Sequence, residues 1–171
     1  LNLKKKYKNL LTIIIPRHIH RVNKIFQEIN DLKLNVVLHS SGPKKLKNAD
    51  IYLVDTYGET KKFYDCSDVV FMGKSLAGKG GQNPLEPARS GAAVLHGPNI
   101  DNFSDIYRLL EKLKITYKVN GETSLRNLVN KLIIKPNSKK NYLKIEKIGK
   151  KILDETKDEI NSLLNNEIKK T

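Results

Sequence analysis

Cysteine is all but missing from this chain of 171 residues. Cys66 stands alone, which excludes an internal disulfide and argues against zinc held by thiolates. A reducing, cytoplasmic setting is the natural one for such a chain. Long apolar runs are missing too. The longest, residues 10–15, has the length of a strand, whereas a membrane-crossing helix needs about twenty consecutive apolar residues. Arginine is scarce. Arg17, Arg21, Arg89, Arg108 and Arg126 are the five among 32 basic residues, so lysine carries the net charge of +14. The basic residues are not interleaved with aromatics as in a nucleic-acid-binding module, which argues against nucleic acid as a partner. Solvated lysines on helix faces account for such a charge. Attraction to an anionic membrane surface, worth about 1 kcal/mol for each well-placed Lys or Arg, is the second reading. The chain opens on Leu1 rather than methionine and soon enters an apolar run, the pattern expected of a domain excised from a longer protein.

What the chain does have is a glycine-rich loop. Gly73-Lys74-Ser75-Leu76-Ala77-Gly78-Lys79-Gly80-Gly81-Gln82 follows the apolar run 69–72 and leads into Asn83-Pro84-Leu85-Glu86-Pro87. Its four glycines let the backbone take positive φ and approach a ligand closely. Asn83 is a good N-cap, Pro84 suits the first helical position, and Glu86 stands where a capping-box acid belongs. Free N–H groups and the helix dipole would then face the loop, where an anion can bind. Strand, glycine loop and capped helix together suggest the phosphate- or nucleotide-sugar-binding edge of an α/β domain.

Around the loop, strands and helices alternate. Runs 10–15, 35–40, 51–54, 69–72, 93–96 and 115–119 read as strands. Segments 22–32, 60–67, 83–90, 103–114 and 122–134 carry helical spacing. This alternation predicts an α/β fold with a parallel, doubly wound sheet and helices on both faces. Ligands bind such sheets at the carboxyl ends of the strands. Those ends carry Pro16-Arg17-His18, Asp55-Thr56-Tyr57-Gly58-Glu59, the glycine loop and Gly97-Pro98-Asn99, which are expected to converge. Residues 139–171 are rich in lysine and asparagine, with apolar residues from Leu143 to Leu164 at helical spacing. They predict one or two amphipathic helices packed on the domain or on a neighbour outside the chain.

The ordered set Pro16-Arg17-His18, Asp55-Thr56-Tyr57-Gly58-Glu59, Gly73-Lys74-Ser75, Gly80-Gly81-Gln82-Asn83-Pro84-Leu85-Glu86-Pro87 and Gly97-Pro98 resembles the C-terminal half of bacterial 3-deoxy-D-manno-octulosonic acid (Kdo) transferase. The likeness runs over residues 10–134. It implies the GT-B architecture, in which two Rossmann-like domains face a cleft and the C-terminal one holds most of the donor, CMP-Kdo. It also implies inverting transfer of Kdo to a lipid A precursor at the cytoplasmic face of the inner membrane, with no metal or cofactor. Residues 1–138 would be the Rossmann-like CMP-Kdo-binding domain and 139–171 a helical tail. The family's catalytic base is a glutamate of the N-terminal domain, where the membrane anchor and acceptor surface also belong. By this resemblance the chain contains no catalytic residue. Alone, it is expected to bind CMP or CMP-Kdo weakly and transfer nothing. The chain departs from the pattern at Ile19, where proline usually follows the Arg-His pair, at Lys74, in place of the second glycine of Gly-Gly-Ser, and at Tyr57, in place of methionine.

The resemblance carries donor contacts to Pro16, Arg17, Tyr57, Gly58, Glu59, Asn83, Pro84, Leu85 and Glu86. The chemistry of several can be argued directly. Arg17 can reach a phosphate or the donor carboxylate in bidentate fashion, with an exposed salt bridge as its bland alternative. His18 can act as a neutral donor or a cation. Glu86 can accept from ribose hydroxyls, and Asn83 can cap the helix while meeting phosphate. The backbone of residues 57–59 can approach the cytosine, or simply turn into the next helix. Ser75 offers a hydroxyl beside the loop. Asp55 supports a turn, and His39 and His96 read as strand residues. Two other readings stay open. One is a GT-B enzyme using a uridine donor. The other is a basic, non-catalytic domain for RNA or anionic membranes, whose binding would depend on salt and little on Arg17 or Glu86.

Overall fold

Short β-branched and aliphatic runs become strands, and helices separate most of them. The computed structural model describes residues 2–42, 46, 48–135 and 141–168. The chain divides after Cys66 into two compact units, Leu1–Cys66 and Ser67–Thr171.

In the first unit, β1 (Thr12–Ile14), β2 (Val36–Leu38) and β3 (Ile51–Leu53) form a parallel sheet in the order β1-β3-β2. Thr12 and Val36 both pair with Ile51. Val37, Ala49, Tyr52 and Val54 make the core, with Ile13, Ile15 and Phe63 packed against it. Helix α2 (Val22–Asp31) buries Val22 and Ile29, and α3 (Thr60–Asp65) supplies Phe63. A five-residue helix that the sequence pattern did not announce, α1 (Asn2–Lys6), precedes them. Its Lys4 Nζ donates to the carbonyls of Leu10 (2.7 Å) and Ala49 (3.1 Å) and lies 3.7 Å from Asp50. That staple ties the chain start to the entry of β3.

In the second unit, β4 (Val69–Phe71), β5 (Ala93–His96) and β6 (Thr116–Lys118) form a parallel sheet in the order β4-β5-β6. The central strand β5 is wholly buried, and its side chains alternate between two cores as a pleated strand requires. Val94 joins Met72, Ala88, Leu110 and Ile115, under α4 (Leu85–Arg89) and α5 (Ser104–Lys112). Ala93 and Leu95 join Leu132 of α6 (Glu122–Ile134) on the other face. Helices therefore cover both faces. The expected tail is one helix, α7 (Asn141–Ile168). Ile145 packs on the Met72 core, while Leu143, Ile152, Leu153, Ile160, Leu163 and Leu164 are exposed. Positions 139–140 and 169–171 of the expected tail lie outside the described residues.

The parallel α/β reading holds, with two revisions. The six strands form two three-stranded sheets, one in each unit, rather than one. Several elements are also shorter than the pattern predicts. The run 35–40 stops at Leu38 because His39–Ser41 coils into a 3₁₀ turn. The helix expected over 83–90 spans only Leu85–Arg89.

Candidate functional site

At the carboxyl edge of the first sheet, Pro16 stands two residues past the end of β1, followed by Arg17 and His18, both exposed. The Arg17 guanidinium has no ion-pair partner among the described residues, so the bland salt-bridge reading finds no support. The His18 ring stacks on His20 at 5.5 Å. Beyond β3 the chain makes a turn over residues 55–59. Tyr57 is 72% exposed, and Gly58 takes φ +85°, which glycine permits without strain. The amide and hydroxyl of Ser40 both donate to the Asp55 carboxylate. Burial opposes its charge, but these bonds prevail and lower the Asp55 pKa. Glu59 closes the turn. Its carboxylate accepts from the Thr56 hydroxyl (2.8 Å), Lys62 Nζ (3.1 Å) and His39 Nε2 (2.6 Å). Those three donors, Thr56 foremost, hold its pKa at about 2. Glu59 is thus an anion with its partners already in place.

His39 is the residue the pattern missed. Read as a strand position, it sits just past the end of β2, where its Nδ1 meets the Tyr52 hydroxyl at 2.7 Å and its Nε2 meets Glu59. The available signal was a His-Ser-Ser run directly after an apolar strand, at the edge where such sheets bind ligands.

The second unit carries the glycine loop. Ser75 is fully buried; its hydroxyl donates to the Met72 carbonyl (2.6 Å) and accepts from the Gly97 amide (2.8 Å). Asn99 adds an amide bond to the Ser75 carbonyl (2.9 Å). A Cβ at Gly97 would overlap that same carbonyl, so only glycine fits there. The Ser75 hydroxyl, considered as a donor contact, is instead spent inside the loop, latching β4 to β5. Lys74 is exposed and adopts φ +66°, a conformation suited to glycine. Its side chain lies over Gly78, where a Cβ would come within 2.6 Å of the Lys74 Cγ.

Just before α4, Asn83 Oδ1 accepts from the Leu85 amide (3.0 Å) across Pro84; Pro84 rather than the expected Asn83 is the N-cap residue, and no side chain among the described residues caps the helix. Glu86 does not complete a capping box. It is exposed, and its carboxylate has no hydrogen bond or ion pair among the described residues. Pro84 and Pro87 are buried and lack N–H groups. The Glu86 amide is therefore the one first-turn donor left without an internal partner among the described residues. A five-residue helix with a single open donor is a much weaker anion cradle than the sequence suggested. Leu85 is half-buried and packs on the Met72 core. His96 ends β5, buried, with Nδ1 at 2.7 Å from the Gly97 carbonyl and its ring 4.4 Å from that of Tyr107. Burial pushes its pKa down.

Comparison with known proteins adds relatives but no family model; none matches the chain. It is 32% identical over 160 residues to a 3-deoxy-D-manno-octulosonic acid transferase of Haemophilus influenzae, covering 93% of this chain and 37% of that protein. A protein of the same name from Rickettsia prowazekii is 33% identical over 162 residues, with 90% and 35% covered. The chain thus spans little more than a third of the length of these relatives. Among solved structures, the C-terminal CMP-Kdo binding domain of WaaA from Acinetobacter baumannii shares the fold. Its TM-score is 0.76 at 24% identity, with 84% of this chain and 77% of that one covered.

Proposed function

Because the chain belongs to the 3-deoxy-D-manno-octulosonic acid (Kdo) transferase family, spanning about a third of each relative, we propose that it is the donor-binding part of such a glycosyltransferase and holds CMP-Kdo. One observation carries this reading. The aligned stretch takes in 93% of the chain, so it includes both the Pro16-Arg17-His18 strand end and the whole glycine loop.

In this proposal the exposed, unpaired groups meet the donor. Arg17 takes a phosphate or the Kdo carboxylate in bidentate fashion. Glu86 accepts from the ribose hydroxyls, for which its unengaged carboxylate is suited. Asn83 holds the Leu85 amide with its oxygen and keeps its amide N–H for phosphate. The backbone at Tyr57 and Gly58 and the exposed Tyr57 ring approach the base, and His18 assists as a donor. Pro16 shapes the chain beside Arg17 in the first unit, and Pro84 and Leu85 shape the entry to α4 in the second. Glu59 and Ser75 act from within, by fixing the turn and the loop. The parent enzyme then moves Kdo with inversion onto a lipid A precursor at the cytoplasmic face of the inner membrane. Its catalytic base, acceptor surface and anchor lie in the portion of the relatives that this chain does not cover. The chain alone is expected to transfer nothing. Among the described residues no helix is long and apolar enough to cross a membrane. Exposed lysines supply attraction to an anionic surface.

Calorimetric titration with CMP, with UDP as control, tests the reading. CMP-selective binding is expected, weakened about tenfold in Glu86→Ala, which removes a hydrogen bond to a charged group. A preference for UDP would mean a uridine donor. Failure of a longer protein that includes the preceding portion to bind CMP would overturn the assignment.

A further inference from the structure

The turn over residues 55–59 has little to hold it through packing. Tyr57 points to solvent, Gly58 is in the left-handed region, and α3 beyond it has only six residues. What fixes it is a pair of consecutive residues from the neighbouring strand end. Ser40 donates twice to Asp55 at the start of the turn, and His39 donates to Glu59 at its close. The His39 ring is itself held from three sides. Tyr52 of β3 meets Nδ1, Glu59 meets Nε2, and the Phe63 ring of α3 stands edge-on at 5.3 Å.

The geometry assigns His39 as a positioning residue: it wedges between the Tyr52 hydroxyl and the Glu59 carboxylate and keeps the 55–59 turn in the shape that receives the nucleotide. The assignment rests on the donor-binding reading given above. Its chemistry is determined by the partners. An ionised carboxylate only accepts, so Nε2 carries a hydrogen. Neutral His39 then accepts the Tyr52 O–H at Nδ1. When protonated, it donates there and the Tyr52 oxygen accepts. Either state keeps both contacts, so the wedge works without a change of charge. Asp55 and Lys62, the other charged groups nearby, are occupied by Ser40 and Glu59 respectively.

Two substitutions of similar polarity separate positioning from simple stability. In His39→Gln the side-chain amide nitrogen reaches about as far as Nε2 and still donates to Glu59. In His39→Asn it stops near the place of Nδ1 and cannot. The whole chain is titrated with CMP, and amide exchange is followed by NMR over residues 56–59. The Asn variant is expected to bind CMP about tenfold more weakly, with faster exchange in the turn, while the Gln variant stays within about twofold of the parent. If the parent binds CMP and the two variants bind it equally well, or lose it equally, the positioning role is wrong and the donor reading stands. If the folded, unsubstituted chain shows no CMP binding, the same variants are compared in the longer protein, and failure of that protein to bind CMP overturns the donor reading and this inference with it.

Discussion

Ser75 shows how much a small side chain can decide. Its hydroxyl is both donor to Met72 and acceptor from Gly97, and the residue is fully buried from the surrounding solvent. Removing one partner of a buried hydrogen bond costs about 1–3 kcal/mol. Ser75→Ala is therefore expected to lower the unfolding free energy by about 2 kcal/mol, read from urea midpoints. Lys74 gives the opposite sign. A non-glycine residue in the left-handed region costs about 1–2 kcal/mol, and glycine relieves it at some expense in unfolded-chain entropy. Lys74→Gly should leave stability unchanged or raise it by up to about 1 kcal/mol. Glu59 and His96, together with Asp55, whose pKa is also lowered, shape the acid response. The Glu59 pKa falls from 4.5 to about 2 on folding, so its contribution is complete above 4.5 and fades as pH drops toward 2. The buried His96 resists the proton that an unfolded histidine accepts near 6.5, so stability also falls as pH drops below that value. Urea midpoints should decline with acid in both windows. His96→Gln should flatten the window just below 6.5, and Glu59→Gln the one below 4.5.

Helices α4 and α7 differ in what their partners demand. In α7, Ile145 packs on the Met72 core, but Leu163 is 61% exposed. Ile145→Ala should cost about 1–2 kcal/mol, below the usual range for a fully buried isoleucine because the site is only partly buried. Leu163→Gln, which keeps helix propensity, should change the melting midpoint by less than about 0.5 kcal/mol equivalent. The same elements show what a sequence can and cannot declare. Helix α6 over Glu122–Ile134 and strand β5 over Ala93–His96 were legible to the residue, the first from helical apolar spacing and the second as a short apolar run after Gly91. Asn83 was legible as a residue of the turn into α4, but the N-cap position itself fell one residue later, at Pro84. Glu86 was misjudged as a capping acid, since whether a carboxylate turns inward is settled by surroundings rather than spacing. His39 escaped because its partners Tyr52 and Glu59 lie 13 and 20 residues away along the chain. Helix α1 escaped for the same reason, its Lys4 staple reaching Ala49.

For the whole chain, parallel strand pairing sets the architecture, and the division after Cys66 gives each sheet its own core. The sequence announced six parallel strands but not where one sheet would stop and the next begin. That boundary depends on which strands hydrogen-bond, and their apolar composition is alike. The strand order of the first sheet has a consequence for its synthesis. β1 and β2 never pair with each other; both pair with β3, which is made last. On a ribosome adding about 5–20 residues each second, the nascent chain carries two strands with no partner until Leu53 has left the exit tunnel. β3 is a keystone, and a message truncated before it would yield two sticky edges and no sheet.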